Sequence, residues 1–84
     1  MKLNTRLAQL RKQHTIVGPL TGTPRRAGLY LRQSSKTGDA VWSYFGGNNH
    51  KWHLYSDTKE GALAKYKKRK VSKYQDLPWY GVAK

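Results

Sequence analysis

The chain contains no cysteine and has only four acidic residues against seventeen lysines and arginines. Without cysteine, disulfides, thiolate metal sites and thiol catalysis are excluded. The four carboxylates are too few and too dispersed for the converging cluster that a metal-dependent nuclease needs. We therefore expect a protein that is not an enzyme and that uses no cofactor and no metal.

Long apolar runs are also missing. No stretch approaches the roughly 20 apolar residues that span a bilayer, and residues 2–15 lack the apolar core of a signal peptide. The most basic segment has no wide apolar face that would lie on a membrane. We expect no membrane partner, and a protein that stays in the compartment where it is made.

Positive charge is what the chain has in excess. Its formal net charge is +13 over 84 residues, and its isoelectric point is near 10.4. Self-repulsion at such a charge opposes compaction, so a partner of opposite charge is expected. The phosphate backbone of nucleic acid is the leading candidate.

Three short runs alternate apolar residues with polar or basic ones, which is the period of a strand with two different faces. Gly46-Gly-Asn-Asn49 is the clearest turn signal, and it predicts a hairpin between the second and third runs. Gly38 is expected to take the left-handed position in the loop between the first and second. The predicted strands are residues 29–33, 41–45 and 51–55.

Helices are predicted on both sides of these strands. Leu3, Leu7 and Leu10 have helical spacing among basic residues, so residues 2–13 are predicted to form a short basic helix or arm. After the third strand, Asp57 and Glu60 have the spacing of a capping box that begins a second helix. That helix is expected to pack on the sheet through Ala62, Leu63 and Tyr66.

The predicted fold class is α+β, with a three-stranded antiparallel sheet packed on one C-terminal helix and a short basic N-terminal helix or arm. Residues 1–27 would be the arm and a linker, because prolines and glycines break any period from 14 to 28. Residues 28–75 would form the nucleic-acid-binding domain. Residues 76–84 would be an aromatic tail, too apolar to stay free and expected to fold back or to meet a partner. Trp42 is expected in the core.

Strand alternation predicts one basic, aromatic sheet face that carries Tyr30, Arg32, Lys51, His53 and Tyr55. Such side chains donate to phosphates and base edges, and a narrow ribbon enters the major groove. The same residues could instead simply keep an open sheet face soluble. Further predicted DNA contacts are Arg25, Arg26, Gln33, Lys36, Ser43, Lys67 and Lys68.

The histidines offer little catalytic chemistry. His50 and His53 are three residues apart on a predicted strand, which places them on opposite faces, so they cannot chelate one metal. A ribonuclease that uses His53 with Lys51 or Arg32 stays open as an alternative, although no second base is evident.

Gly28-Leu-Tyr-Leu-Arg32, Trp42-Ser-Tyr44 and the glycine–asparagine turn, followed by a strand and a helix, resemble a known domain. This is the arm-type DNA-binding domain of phage and prophage integrases in the tyrosine recombinase family, and the resemblance covers about residues 25–70. It implies a three-stranded sheet that enters the major groove of double-stranded DNA, with a helix behind it. It also implies a role in DNA recombination and a location in a bacterial cytoplasm, at the nucleoid.

The recombinase catalytic residues have no match, and 84 residues cannot house that catalytic domain. The resemblance therefore implies DNA binding without strand cleavage, by an excised domain or by a stand-alone phage-like protein.

Two alternative partners stay open. The order helix, three strands, helix also resembles the double-stranded RNA-binding domain, although Asp57 and Glu60 place negative charge where that fold grips phosphate. A small basic phage factor could instead bind and inhibit an acidic host protein or nucleoprotein. Trp79 and Tyr80 would then be its anchors, since aromatic residues dominate binding hot spots.

Overall fold

The computed structural model describes residues 2–34 and 36–83. The described residues form an α+β fold with a five-stranded antiparallel sheet in the order β1-β5-β2-β3-β4. The class is as expected, but two strands were not predicted. In chain order the elements are α1 (Leu3–Leu10), β1 (Thr15–Leu20), β2 (Gly28–Gln33), β3 (Ala40–Gly46), β4 (Lys51–Trp52), α2 (Lys59–Lys67) and β5 (Trp79–Ala83).

The two additional strands, β1 and β5, lie in the segments predicted as linker and tail. β5 lies between β1 and β2 and pairs with both, with Ile16 opposite Val82 and Leu31 opposite Tyr80. The apolar C-terminal residues therefore fold back, as expected, and they do so as an inner strand of the sheet. Residues 79–83, which were predicted to belong to a tail, are thus part of the sheet.

Gly18 and Pro19 interrupt the alternation of β1, and this is why the strand was not predicted. The pairing with β5 shifts register between Val17 and Leu20, as at a β-bulge. Gly18 has a φ of +139°, and a Cβ atom there would lie 2.8 Å from the Tyr80 ring. Glycine is thus required where β1 bends past β5.

One face of the sheet packs against both helices. Leu31, Trp42 and Tyr80 lie on this face and form a buried cluster with Leu3 and Leu7 of α1 and Ala62 of α2. Trp42 is a core residue, as expected. Tyr66 is half-buried and stacks on Tyr44 of β3, with ring centroids 3.9 Å apart.

The other face carries an aromatic cluster of Phe45, Trp52 and Trp79, with Tyr30 packed against it. The segment after α2 runs along the outer edge of β4, where Ser72 N–H donates to Trp52 C=O over 2.9 Å. Further along the same segment, the Gln75 side chain accepts a hydrogen bond from Trp52 N–H over 2.9 Å. Phe45, Trp52 and Trp79 are all buried, so this face of the sheet is packed as well, which explains why both sides of β3 are apolar.

α2 begins one residue later than the capping-box pattern indicated. Thr58 is the N-cap, and its hydroxyl accepts a hydrogen bond from Gly61 N–H over 3.0 Å. Glu60 is therefore the second helical residue, one position short of the capping-box glutamate. Its charge still lies at the positive end of the helix dipole.

Candidate nucleic-acid interface

Unpaired positive charge is concentrated where α2 ends. Lys67, Lys68, Arg69 and Lys70 are consecutive and exposed, and we call them the basic surface. Within residues 2–34 and 36–83 the one ion pair is Lys2 with Asp39, at 3.7 Å. The four cations of the basic surface therefore have no carboxylate partner in the described part of the chain.

The backbone at this helix end forms a tight reversal. Lys68 is the C-cap, Arg69 N–H donates to Tyr66 C=O over 2.8 Å, and Lys70 N–H donates to Lys65 C=O over 3.0 Å. This pair of bonds is the Schellman motif, in which the residue after the C-cap is left-handed and is usually glycine. Here that residue is Arg69, with a φ of +58°.

The reversal turns the chain back along β4. Leu54 N–H donates to Lys70 C=O over 2.8 Å, and His53 pairs with Val71 in an antiparallel bridge. The end of α2 is thereby held beside the β3–β4 hairpin turn. Between them lies a depression of about 480 Å³, lined by Gly46, Asn48, Asn49, His53, Tyr66, Lys67 and Arg69.

Aromatic rings form the inner wall of this depression. The Tyr66 ring stacks on Tyr44 with an interplanar angle of 21°. His53 stands almost perpendicular to Tyr66, at 89° and a centroid distance of 4.9 Å. His53 is only 1% exposed, and its Nδ1 lies 3.2 Å from Tyr44 C=O, so this ring is held in place. The depression thus offers amides, cations and an aromatic surface together.

The predicted basic, aromatic sheet face does not exist as an exposed surface. Arg32 is 1% exposed, and its guanidinium lies 4.3 Å from the centre of the Trp52 ring. One of its nitrogens donates to Tyr74 C=O over 2.9 Å. Burial lowers the pKa of Arg32 to about 10, and Asp76 offsets part of the shift. In this fold Arg32 holds the segment after α2 against the sheet.

His53 and Arg32 lie on opposite faces of the sheet, contrary to prediction. Phe45 pairs with Trp52, which places Trp52 on the Arg32 side and turns His53 toward Tyr66. Ser43 is also buried, and its hydroxyl donates to His53 C=O over 2.7 Å. A ribonuclease centre that combines His53 with Arg32 is therefore not assembled.

The other predicted residues are spread over the surface. Tyr30 is half-buried, and its hydroxyl donates to Arg26 C=O over 2.8 Å. Burial raises the pKa of the Tyr30 phenol, and the positive charge of Arg26 offsets part of this shift. Tyr55 is half-buried beside Lys36 in a second depression, and Lys51 borders a third with His50. The exposed members of the predicted set are Arg25, Arg26, Gln33, Lys36, Lys51, Lys67 and Lys68.

Several residues of the depression were not among the predicted contacts. Asn48 and Asn49 were interpreted only as turn residues, and Tyr66 only as core. Arg69 belongs to a visible basic run, but nothing in the sequence indicated that the chain reverses there. The pairing of residues 70–72 with the edge of β4 brings these residues together, and it has no local sequence signal.

Comparison of the chain with protein-family models, curated proteins and solved structures found no match. The chemistry of the site is therefore interpreted from its own residues. Among the described residues no helix is long and apolar enough to cross a membrane. The same residues contain no cluster of three or more histidine and carboxylate side chains that could hold a metal ion.

Proposed function

We propose that this protein binds double-stranded nucleic acid, preferentially double-stranded DNA, without cleaving it. The observation that carries the proposal is the basic surface, where four consecutive exposed cations have no carboxylate partner. Cations arranged in this way bind the phosphate backbone and release its condensed counterions. A net charge of +13 adds long-range attraction to the same partner.

The part of the sheet that can approach a groove is the β3–β4 hairpin turn, not a sheet face. Both faces are packed, whereas residues 47–50 are exposed. The turn lies beside the basic surface, so the backbone contacts would place it at the edge of a groove. We therefore propose contact through the hairpin turn in place of the predicted insertion of an open sheet face, because Arg32, Ser43 and His53 are buried.

The resemblance to the integrase arm-type domain supports the DNA proposal in one respect. β2, β3 and β4 are neighbours in the sheet, and α2 packs behind them through Ala62. The resemblance does not account for β1, for β5 or for the segment after α2 that runs along β4 and is bonded to Arg32. We propose that a shared unit of strands and helix presents a different surface to DNA.

The test compares a charge-removing variant with a matched control. In Lys67→Gln/Lys68→Gln two exposed cations of the basic surface are lost, and in Arg11→Gln/Lys12→Gln two exposed cations beyond α1 are lost. Fluorescence anisotropy with labelled duplexes of several sequences should show weaker binding of the first variant to every duplex. Its salt slope should fall by about 2, one unit for each phosphate contact.

The control variant should retain most of the affinity. Equal losses in the two variants would mean that binding follows net charge alone and not the basic surface. The same titration with duplex RNA of matched sequence decides the partner. Tighter binding to RNA would contradict the preference for DNA, and no binding to either duplex would turn attention to an acidic protein partner.

A further inference from the structure

The depression beside the basic surface has side chains that backbone binding alone does not require. Asn48 is exposed, and its amide has no hydrogen-bond partner within the described part of the chain. Asn49 accepts a hydrogen bond from Lys51 N–H over 3.1 Å with its carbonyl oxygen, which leaves its NH₂ group available. Amide side chains of this kind pair with the edges of bases.

One face of the Tyr66 ring is left uncovered by its aromatic neighbours. The centroid distances are 3.9 Å from Tyr44 to Tyr66, 4.9 Å from His53 to Tyr66 and 6.5 Å from Tyr44 to His53. These sides form a nearly right-angled triangle with its corner at Tyr66. His53 therefore lies beside the Tyr66 ring and not over its second face. Aromatic faces of this kind stack on nucleobases of any sequence.

The size and charge of the depression suit one nucleotide. Its volume of about 480 Å³ falls within the roughly 300–1,000 Å³ of small-molecule sites. Lys67 and Arg69 both line it and can hold the phosphates on either side of a base. Arg69 also occupies a left-handed position at which glycine would be favoured. A cation is thus present where the backbone alone would select against it.

We propose that this depression binds a single unpaired nucleotide of a nucleic acid whose duplex part lies on the basic surface. The base would stack on Tyr66, the amides of Asn48 and Asn49 would bond its edge, and Lys67 and Arg69 would hold the flanking phosphates. This inference depends on the proposed function, because the basic surface delivers the strand to the depression. The ligand class is a duplex with an extruded, bulged or terminal unpaired nucleotide.

The test uses three labelled DNAs of the same sequence: a plain duplex, a duplex with a one-nucleotide bulge and a duplex with a one-nucleotide overhang. We expect at least one unpaired form to bind about 10-fold more tightly than the plain duplex, as one stacked and hydrogen-bonded base provides. The bulge and overhang distinguish an internal from a terminal source. 2-Aminopurine at the unpaired position should change its fluorescence on binding.

Variants assign the preference to the depression. Asn48→Ala should reduce the preference ratio, which is the affinity for the unpaired duplex divided by the affinity for the plain duplex. Because the Asn48 side chain has no hydrogen-bond partner within the described part of the chain, this change should not unfold the protein. Tyr66→Leu should make the two affinities equal, because the stacking ring is lost, and Tyr66→Phe should preserve the preference. The distant Lys12→Gln should leave the preference unchanged. Equal, salt-dependent binding of plain and unpaired duplexes would overturn this inference and leave the proposed function intact. No binding of any duplex would overturn both.

Discussion

Arg32 and Arg69 have the same side chain in opposite environments. Arg32 is buried against Trp52 and donates to a backbone carbonyl, so its charge is used within the fold. Arg69 is exposed at the end of α2, in a backbone conformation that costs a non-glycine residue about 1 kcal/mol. The first arginine stabilises the packing of the sheet, and the second has no carboxylate partner among the described residues.

Replacement of Arg69 by glycine should affect stability and DNA binding in opposite directions. Arg69→Gly relieves the left-handed strain, so we expect the free energy of unfolding to rise by about 0.5–1 kcal/mol. The same change removes a cation of the basic surface, so the affinity for duplex DNA should fall. Urea denaturation and anisotropy titration of the same sample measure both effects.

Lys68→Gly is the matched control for that prediction. Lys68 also belongs to the basic surface but has a φ of −83°, so glycine there should lower stability by up to about 1 kcal/mol. Both variants lose one charge, and they should therefore weaken binding by similar factors. Stability changes of the same sign in the two variants would contradict the account of Arg69.

At the scale of elements, the C-terminal strand β5 contributes to the packing on both faces of the sheet. Trp79 and Tyr80 of β5 are both buried, and they belong to the clusters on opposite faces of the sheet. β5 also lies between β1 and β2, so without it β1 would have no partner strand and β2 would be paired only with β3. Residues 28–75 therefore lack a strand on which both cores depend.

A protein truncated after Leu77 tests this dependence. Removal of β5 exposes the buried clusters on both faces of the sheet and leaves β1 unpaired, so we expect the truncated chain to lose its cooperative unfolding transition. Circular dichroism and tryptophan fluorescence during thermal denaturation would show this, with Trp79→Phe in the full chain as a milder comparison. A cooperative transition in the truncated protein would mean that the rest of the chain folds without β5.

Elements with local signals were predictable, and those that depend on distant partners were not. Alternation and the glycine–asparagine turn located β2, β3 and the hairpin, and the leucine spacing located α1. β1 was missed because Gly18 and Pro19 break its pattern. β5 was identified as apolar, but its pairing joins Thr15 to Ala83, a distance along the chain that no short pattern reports. His53 was predicted on the same face as Arg32, and this was wrong. The pairing of Phe45 with Trp52 determines the face of His53, and alternation alone does not fix the register between strands.

The site was predictable only in part, for the same reason. The basic run at Lys67 and Lys68 was found from composition and lies on the surface. The depression depends on the left-handed turn at Arg69 and on residues 70–72 lying along β4. A left-handed residue after a helix is usually glycine, and here it is arginine, so the sequence did not indicate where α2 ends. The position of Asn48 beside Lys67 and Arg69 could therefore not be predicted.

At the scale of the whole molecule, charge is segregated rather than balanced. Asp57 and Glu60 lie near the start of α2 and the basic surface lies at its end, so the charged residues of this region follow the helix dipole. With one ion pair among the described residues, most of the excess charge is left to interact with solvent or a partner. Such a molecule should bind a polyanion with strong dependence on salt.

The salt dependence of duplex DNA binding shows whether the basic surface neutralises phosphates. The measurement is the association constant of the unmodified protein for a labelled duplex, determined by anisotropy at several NaCl concentrations. If the basic surface and its neighbours neutralise about five phosphates, the logarithm of the constant should fall against the logarithm of salt with a slope of about −4 to −5. A slope near zero, or no binding to duplex DNA at low salt, would contradict the proposal that the basic surface binds the phosphate backbone of DNA.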